Sequence, residues 1–311
     1  MSVLGDLARG ARDAADILRR ARNPLEAAKA LVPAALLTRV VLNGETGGVA
    51  PMPAAEVAAT LRRLTRRLEG ELLGEGGRGV DYGALRGSAT FAELVDTSRL
   101  LLGVQLLDVP PDAATRAFWI NLYNVLVIHG VVALGVRRSV MEVPSFFGTV
   151  AYRIGDFLFT PDEIENGILR GNAPHPATGR RLFARGDPRL ALALTPVDAR
   201  VHAALVCAAR ACPPIAFYDG DQLDPQLDLA ARTFVTHDTE VDDAARAVRV
   251  SILYRYYARD FGGDDGVRRF LVQHAEGEHR ARIARALSSG FALEHRRYDW
   301  DLNRLDASPP G

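Results

Sequence analysis

A long, mostly apolar helix is predicted by the stretch Phe118-Trp-Ile-Asn-Leu-Tyr-Asn-Val-Leu-Val-Ile-His-Gly-Val-Val132. Asn121, Asn124 and His129 are its most polar side chains, and at 100° per residue they fall within an arc of about 140°. If the helix is buried, each of them needs a hydrogen-bond partner. An asparagine here could orient a histidine, as in Cys-His-Asn thiol hydrolases. It could equally hold neighbouring backbone in a purely structural network.

The residues after this helix predict a β-hairpin and then a second helix. The two strands are Thr149–Ile154 and Phe157–Phe159, joined through Gly155 and Asp156. Thr160-Pro-Asp-Glu163 is a capping box with proline at the first helical position, and it predicts a helix through Leu169. Glu163 is explained by the cap. Glu165 is not, and it could either orient a histidine or face solvent.

Further segments complete the predicted fold. They are a helix from Pro53 to about Leu73, a helix that begins at Pro225, a strand at Ala247–Ser251 that leads into a helix, and a final short strand at Tyr298–Asn303. Helices outnumber strands, and strands and helices do not alternate as in βαβ units. We therefore expect an α+β fold: a mostly helical single domain with a small, mainly antiparallel sheet and an N-terminal helical extension.

The domain organisation is predicted from composition. Residues 1–79 form an N-terminal helical extension with a Gly-rich linker, residues 80–303 the domain, and residues 304–311 a tail. Residues 1 to about 45 are predicted to form one or two helices, of which Leu31–Leu42 could lie on a membrane surface or pack against the domain. The helix after Pro53 carries four arginines off its apolar stripe: Arg62, Arg63, Arg66 and Arg67. They could contact an acidic partner, or their charge could be balanced by the nearby acids Glu69, Glu71 and Glu75.

Composition excludes several functional classes. With 38 basic and 38 acidic residues the formal net charge is zero, which gives no electrostatic reason to expect a nucleic-acid partner. Lys29 is the only lysine, so lysine chemistry is nearly excluded. We find no signal peptide and no apolar run long enough for a membrane span, and expect a cytoplasmic protein. Metal and cofactor motifs are absent from the sequence, so neither is predicted. The aromatic residues Tyr254, Tyr256, Tyr257 and Trp300 are interpreted as core.

Both cysteines and His202 fall within Asp198–Ile215. Cys207 is the better candidate nucleophile, because the amides after it can form an anion-binding turn, whereas two prolines follow Cys212. In a strand His202 and Cys207 would face opposite sides, and in a helix they would lie about 140° apart, which makes His129 the natural base. The alternatives are that the two cysteines are buried apolar residues or that they form a regulatory disulfide.

Four blocks of the sequence resemble domain of unknown function family 547: Phe118–Asn124, Ile164–Arg170, Cys207–Pro214 and Tyr298–Asn303. The resemblance runs from residue 80 to residue 303. Ala199 and Ala203 depart from the pattern of the family, which has proline and an aromatic residue there. The resemblance implies a shared fold and does not imply an activity.

We expect one pocket built from Asn121, His129, Glu165, His202 and Cys207. Its predicted chemistry is that of a thiol-dependent hydrolase or acyl transferase acting on an unknown small molecule or peptide: Cys207 is the nucleophile, a histidine the base, and Asn121 or Glu165 the orienting group. The alternative is a non-enzymatic interaction module that binds a protein partner through its N-terminal helices.

Overall fold

The computed structural model describes residues 38–44, 50–72, 79–106 and 109–305. The helices predicted within residues 1–37, the middle of the Gly-rich linker (73–78) and the tail from residue 306 onward lie outside the described residues.

Most of the described chain is helical. The α-helices are α1 (Ala54–Leu72), α2 (Tyr82–Gly87), α3 (Ala89–Ser98), α4 (Ala113–Ala133), α5 (Phe146–Thr149), α6 (Leu223–Asp238), α7 (Leu253–Tyr256), α8 (Asp264–His274) and α9 (Gly277–Ser288). A π-helix spans Glu163–Leu169. Short 3₁₀ turns lie at Arg99–Gly103, Val140–Glu142, Pro188–Leu192, Ala199–Ala203 and Gly220–Gln222.

The strands form two three-stranded sheets, and each of them is mixed. The strands are β1 (Val40–Val41), β2 (Val150–Ile154), β3 (Phe157–Phe159), β4 (Glu240–Asp242), β5 (Ala247–Ser251) and β6 (Ala292–Arg296). In the first sheet β2 pairs parallel with β1 and antiparallel with β3; in the second, β5 pairs antiparallel with β4 and parallel with β6. The mostly helical α+β class is confirmed, although the strands make two mixed sheets and not one mainly antiparallel sheet.

Helix α4 is the central element of the larger core. Trp119, Ile120 and Leu126 are at most 1% exposed, and α1, the first sheet and the π-helix pack around them. By length and composition α4 could cross a membrane, but 83% of its most apolar window is buried inside the protein, as in core helices of soluble proteins. A second, smaller core lies between α6, α8, α9 and the β4–β6 sheet.

The hairpin and the capping box are confirmed. Gly155 makes the turn with φ +54°, and a Cβ there would lie 2.5 Å from the Val104 carbonyl oxygen, so the position requires glycine. In the cap, Thr160 N–H donates to Glu163 Oε2 at 3.0 Å and Glu163 N–H donates to Thr160 Oγ1 at 3.3 Å. The helix that follows is mostly a π-helix, not an α-helix.

Three local predictions are corrected. Val40–Val41 is a strand and not part of a helix, because it pairs with β2, which is distant in sequence. In place of a strand, residues 298–303 make one isolated bridge, between Leu302 and Ala209. Arg62 and Arg66 of α1 pair with Asp219, and Arg67 pairs with Glu93, so these ion-pair partners lie in other parts of the chain.

Candidate functional site

A cavity of about 220 Å³ opens between the π-helix, α4, α5, α7 and the C-terminal segment. Its walls are mainly aromatic and apolar, with a few polar groups. The lining residues that the chemistry uses are Tyr123, Asp162, Glu165, Asn166, His175, Cys207, Tyr256, Tyr257, Tyr298 and Trp300. A small, mostly apolar cavity with a few converging polar side chains is typical of a ligand site.

The π-helix brings Glu165 and Asn166 to this cavity. Its wider turn is closed by the bond from Arg170 N–H to the Glu165 carbonyl at 2.9 Å, which spans five residues. Gly167 allows close packing from behind, since a Cβ there would lie 2.5 Å from the Phe183 ring. Single π-turns often mark functional sites. Here the π-turn brings Glu165 and Asn166 to the cavity, and Asp162, which directly precedes the π-turn, also lines it.

Glu165 lies on the cavity wall and is only 8% exposed. The phenols of Tyr123 and Tyr257 lie near its carboxylate, whose charge acts on both. Burial, followed by the charge of Glu165, raises the pKa of both phenols well above 10.0, so both remain protonated donors. The two protonated tyrosines are therefore polar neighbours of a carboxylate that has little contact with water.

Tyr257 is itself held between two side chains that lie behind the cavity. The His202 ring stacks on it at 4.0 Å, and Arg170 Cζ lies 4.8 Å from its centroid. Asp260 joins both neighbours: it accepts from His202 Nε2 at 2.9 Å and from Arg170 Nε at 2.5 Å. Burial would raise the pKa of Asp260, but these two hydrogen bonds and charges outweigh it and hold the pKa well below 3.8.

The two cysteines form a disulfide beside Glu165. Cys207 Sγ lines the cavity, whereas Cys212 packs against the larger core. The Tyr298 hydroxyl lies 3.0 Å from Cys207 Sγ and 3.1 Å from Cys212 Sγ, and Cys207 N–H donates to Cys212 Sγ at 3.0 Å. Burial raises the pKa of Tyr298, which keeps its hydroxyl a donor to the sulfurs. Ala208, at φ +62°, turns the chain between the cysteines.

Residues 109–235 match the model of a family described as protein of unknown function, DUF547. This part of the chain is similar to a DUF547 domain. The matched part holds α4, the π-helix and both cysteines, whereas Tyr257, Asp260 and Tyr298 follow it in the chain. No curated protein and no solved structure matches the chain.

The part of the chain that matches this family brings Glu165 and Cys207 to one cavity and places His202 one layer behind it. Asn121 lies elsewhere: its amide bonds the backbone N–H and carbonyl of Tyr218, both at 2.8 Å. Asn124 likewise binds backbone, accepting from Val206 N–H at 3.0 Å. These two asparagines take the structural role that the sequence left open, tying α4 to the segment around the cysteines.

His129 also lies outside the cavity. Its Nδ1 is 2.8 Å from Tyr152 Oη, and the Phe91 ring packs edge-on against it at 5.7 Å. Burial lowers the pKa of His129 to about 4, so the ring is neutral at pH 7. The predicted five-residue pocket is therefore not assembled as a unit, because α4 directs Asn121 and His129 to other neighbours.

Sequence reasoning missed four residues that shape the cavity: Arg170, Tyr257, Asp260 and Tyr298. Tyr256, Tyr257 and Trp300 line the cavity, although the sequence suggested core, and only Tyr254 is fully buried. Tyr298 could have been found, since it begins one of the blocks that resemble the family. No sequence pattern predicts the role of Asp260, because its partners His202 and Arg170 are 58 and 90 residues away in sequence. Within residues 38–44, 50–72, 79–106 and 109–305, no three His, Cys, Asp or Glu side chains are grouped to hold a metal.

Proposed function

We propose that the cavity performs thiol–disulfide exchange between Cys207–Cys212 and a thiol bound in the cavity. The observation that carries the proposal is the asymmetric environment of the two sulfurs. Cys207 lines the cavity, where a bound thiolate can reach it, whereas the half-buried Cys212 does not line the cavity and packs against the larger core. The hydrogen bond from Cys207 N–H and the Tyr298 hydroxyl both converge on the sulfur of Cys212, which is the leaving group in this chemistry.

The exchange proceeds in two displacements. The substrate thiolate attacks Cys207 Sγ, the S–S bond breaks, and Cys212 leaves with the electron pair as a thiolate. A second substrate thiolate then attacks the substrate sulfur of the mixed disulfide, and Cys207 leaves as a thiolate. The two cysteine thiolates take up two protons from solvent. Two substrate thiols are oxidised to a disulfide while the protein disulfide is reduced to a dithiol.

A purely structural role explains this disulfide less well. Closing a loop as short as Cys207–Cys212 removes little chain entropy, about 2 kcal/mol by the loop-length relation, compared with about 5 kcal/mol for a loop of 100 residues. In the cytoplasm, where we expect this protein, disulfides are usually transient and catalytic. Both considerations favour a bond that opens and closes in use.

The thiol-dependent hydrolase or acyl transferase is the second candidate. It is favoured by the presence of Cys207 and Glu165 on one cavity wall, and it would operate in the reduced protein with Cys207 as nucleophile. It needs only Cys207, whereas exchange needs both cysteines. The interaction-module proposal depends on the arginine-bearing N-terminal helices. Those within residues 1–37 lie outside the described residues. In the described helix α1, Arg62 and Arg66 pair with Asp219, and Arg67 pairs with Glu93.

The test uses the full chain and its Cys207→Ser and Cys212→Ser variants. The wild type is equilibrated in glutathione redox buffers, and its thiols are counted by alkylation and mass spectrometry. We expect reversible loss and recovery of both thiols together. We also expect hydroxyethyl disulfide to trap a mixed disulfide on Cys207 of Cys212→Ser at least tenfold faster than on Cys212 of Cys207→Ser.

Two results would overturn exchange. One is a disulfide that is reduced only after denaturation; the other is equal trapping of the two variants. The hydrolase would instead be supported if Cys212→Ser cleaves thioesters as fast as the wild type and Cys207→Ser does not cleave them.

A further inference from the structure

The cavity wall carries negative charge without a matching cation. Asp162 and Glu165, one turn apart, both line it. Of the described residues that line the cavity, none is arginine or lysine. Carboxylates in a largely apolar site are stabilised most by a positive charge placed next to them.

His175 does not supply that charge. Its Nδ1 accepts the backbone N–H groups of Ala177 at 3.2 Å and Thr178 at 3.3 Å, so this nitrogen carries no proton. The ring proton is then on Nε2, which faces Asp162 Oδ1 at 3.5 Å. In this arrangement both ring nitrogens have local partners, and the imidazole orients Asp162.

Arg170 does not supply it either. The guanidinium lies behind the Tyr257 ring and is paired with Asp260 through two hydrogen bonds, of 2.5 and 3.1 Å. Its side chain is 2% exposed, and that of Asp260 is 3% exposed. Since Asp260 also binds His202, the positive charge of Arg170 is largely used within this buried network.

The remaining walls suit an organic cation. Tyr256 and Trp300 line the cavity with aromatic rings, and Phe146 and Phe147 extend the apolar surface. Aromatic faces attract ammonium and guanidinium groups, and a carboxylate beside them strengthens that attraction. A volume of about 220 Å³ lies below the roughly 300–1,000 Å³ of pockets for drug-sized ligands, which fits a small ligand better than a peptide chain.

We infer that the cavity selects a small ligand with an ammonium or guanidinium group on an apolar body, and that its cation lies between Glu165 and Asp162. As a statement about the substrate thiol the inference rests on the proposed exchange function. As a statement about binding it rests on the charges and aromatic walls alone. The cation would anchor the ligand at the π-helix, in the same cavity that Cys207 lines.

The binding test uses three thiol-free probes with one apolar body: phenethylamine, 2-phenylethanol and 3-phenylpropionate. Affinities for the oxidised full chain are measured by isothermal titration calorimetry at pH 7. We expect phenethylamine to bind at least tenfold more tightly than the alcohol, and the carboxylate to bind most weakly. Equal affinities, or tighter binding of the carboxylate, would overturn the cation site.

Glu165→Gln should lower the affinity for phenethylamine about tenfold and leave that for the alcohol unchanged. Asp162→Asn, whose side chain is 24% exposed, gives the same test if the first variant fails to fold. Glu93→Gln is the matched control, since this carboxylate lies on α3 with its side chain 54% exposed and should have no effect. An unchanged preference for the amine in both Glu165→Gln and Asp162→Asn would contradict the proposed location.

The exchange test separates the two proposals. Reduction rates of Cys207–Cys212 are measured with cysteamine, 2-mercaptoethanol and 3-mercaptopropionate, each divided by the rate of the same thiol with hydroxyethyl disulfide. This ratio removes the intrinsic reactivity of each thiol. We expect the ratio for cysteamine to exceed that for 3-mercaptopropionate at least tenfold. Amine binding without exchange rejects the exchange function alone; exchange without a charge preference rejects the cation site alone.

Discussion

The Tyr298 hydroxyl lies 3.0 and 3.1 Å from the two sulfurs, close enough to donate to whichever of them becomes a thiolate. Tyr298→Phe removes that donor and keeps the ring that packs on Trp300 at 4.7 Å. A hydrogen bond to a charged group contributes about 1.5–3 kcal/mol, and 30 mV corresponds to about 1.4 kcal/mol for a two-electron couple. We therefore expect the reduction potential of the disulfide to fall by about 30 mV or more in glutathione buffers.

The control for this variant is Tyr82→Phe. It also removes a phenol hydroxyl, but that hydroxyl donates to Asn303 Oδ1 at 2.8 Å and not to sulfur. Its disulfide should have the potential of the wild type. A Tyr298→Phe potential equal to that of the control would show that the hydroxyl does not stabilise the leaving thiolate.

His129 gives the fold a dependence on acid that is separate from the cavity. Burial lowers its pKa from 6.5 to about 4, so the unfolded chain binds more protons than the folded one between these values. Stability is therefore lost as the pH falls through this window, by about 2 kcal/mol between pH 7 and pH 5.

His129→Gln, which does not titrate, should lose about 2 kcal/mol less than the wild type over the same interval. Urea unfolding at pH 7 and pH 5 measures both. Equal losses in the two proteins would assign the acid sensitivity to other groups.

At the scale of the element, the π-helix depends on Gly167. A Cβ at this position would lie 2.5 Å from two atoms of the Phe183 ring, which is 1% exposed and part of the larger core. Gly167→Ala should therefore lower the free energy of unfolding by about 1–3 kcal/mol, the usual range for overpacking, as measured by urea denaturation.

Gly70→Ala is the matched control, because a methyl group added at this glycine of α1 would have no other atom within 4 Å. This variant should gain about 0.5–1 kcal/mol from the higher helix propensity of alanine. If Gly167→Ala is as stable as this control, the contact with Phe183 does not shape the turn.

The elements that could be predicted are those whose causes are local. The capping box needs only Thr160 and Glu163, and the hairpin needs only the glycine turn between two alternating strands. The π-turn has no sequence pattern of its own, because it arises from packing against residues such as Phe183. Likewise Val40–Val41 becomes a strand only because β2 offers it a partner. For the cavity, the local sequence identified Cys207 and Glu165, but the tyrosines beside them, such as Tyr257 and Tyr298, come from segments far away in sequence.

At the scale of the whole molecule, Asp260 lies where the two cores meet. It joins Arg170, at the end of the π-helix beside the larger core, to His202, whose neighbour Ala203 belongs to the smaller one. The side chains of these three residues are only 2–3% exposed. Removing one partner of a buried ion pair leaves the other charge without compensation, which typically costs about 3–5 kcal/mol.

Asp260→Asn should therefore lower the free energy of unfolding, measured with urea at pH 7, by about 3–5 kcal/mol. The control is Asp243→Asn, which should change it by less than about 1 kcal/mol. The Asp243 carboxylate is 68% exposed and pairs with Arg282 at the surface. The network also supports Tyr257, which contacts both His202 and Arg170. Asp260→Asn should thus weaken phenethylamine binding as well as the fold, measured without urea at a pH where the variant is still folded. A stable variant with wild-type binding would mean that the two cores, and the cavity wall between them, are held together by apolar packing alone.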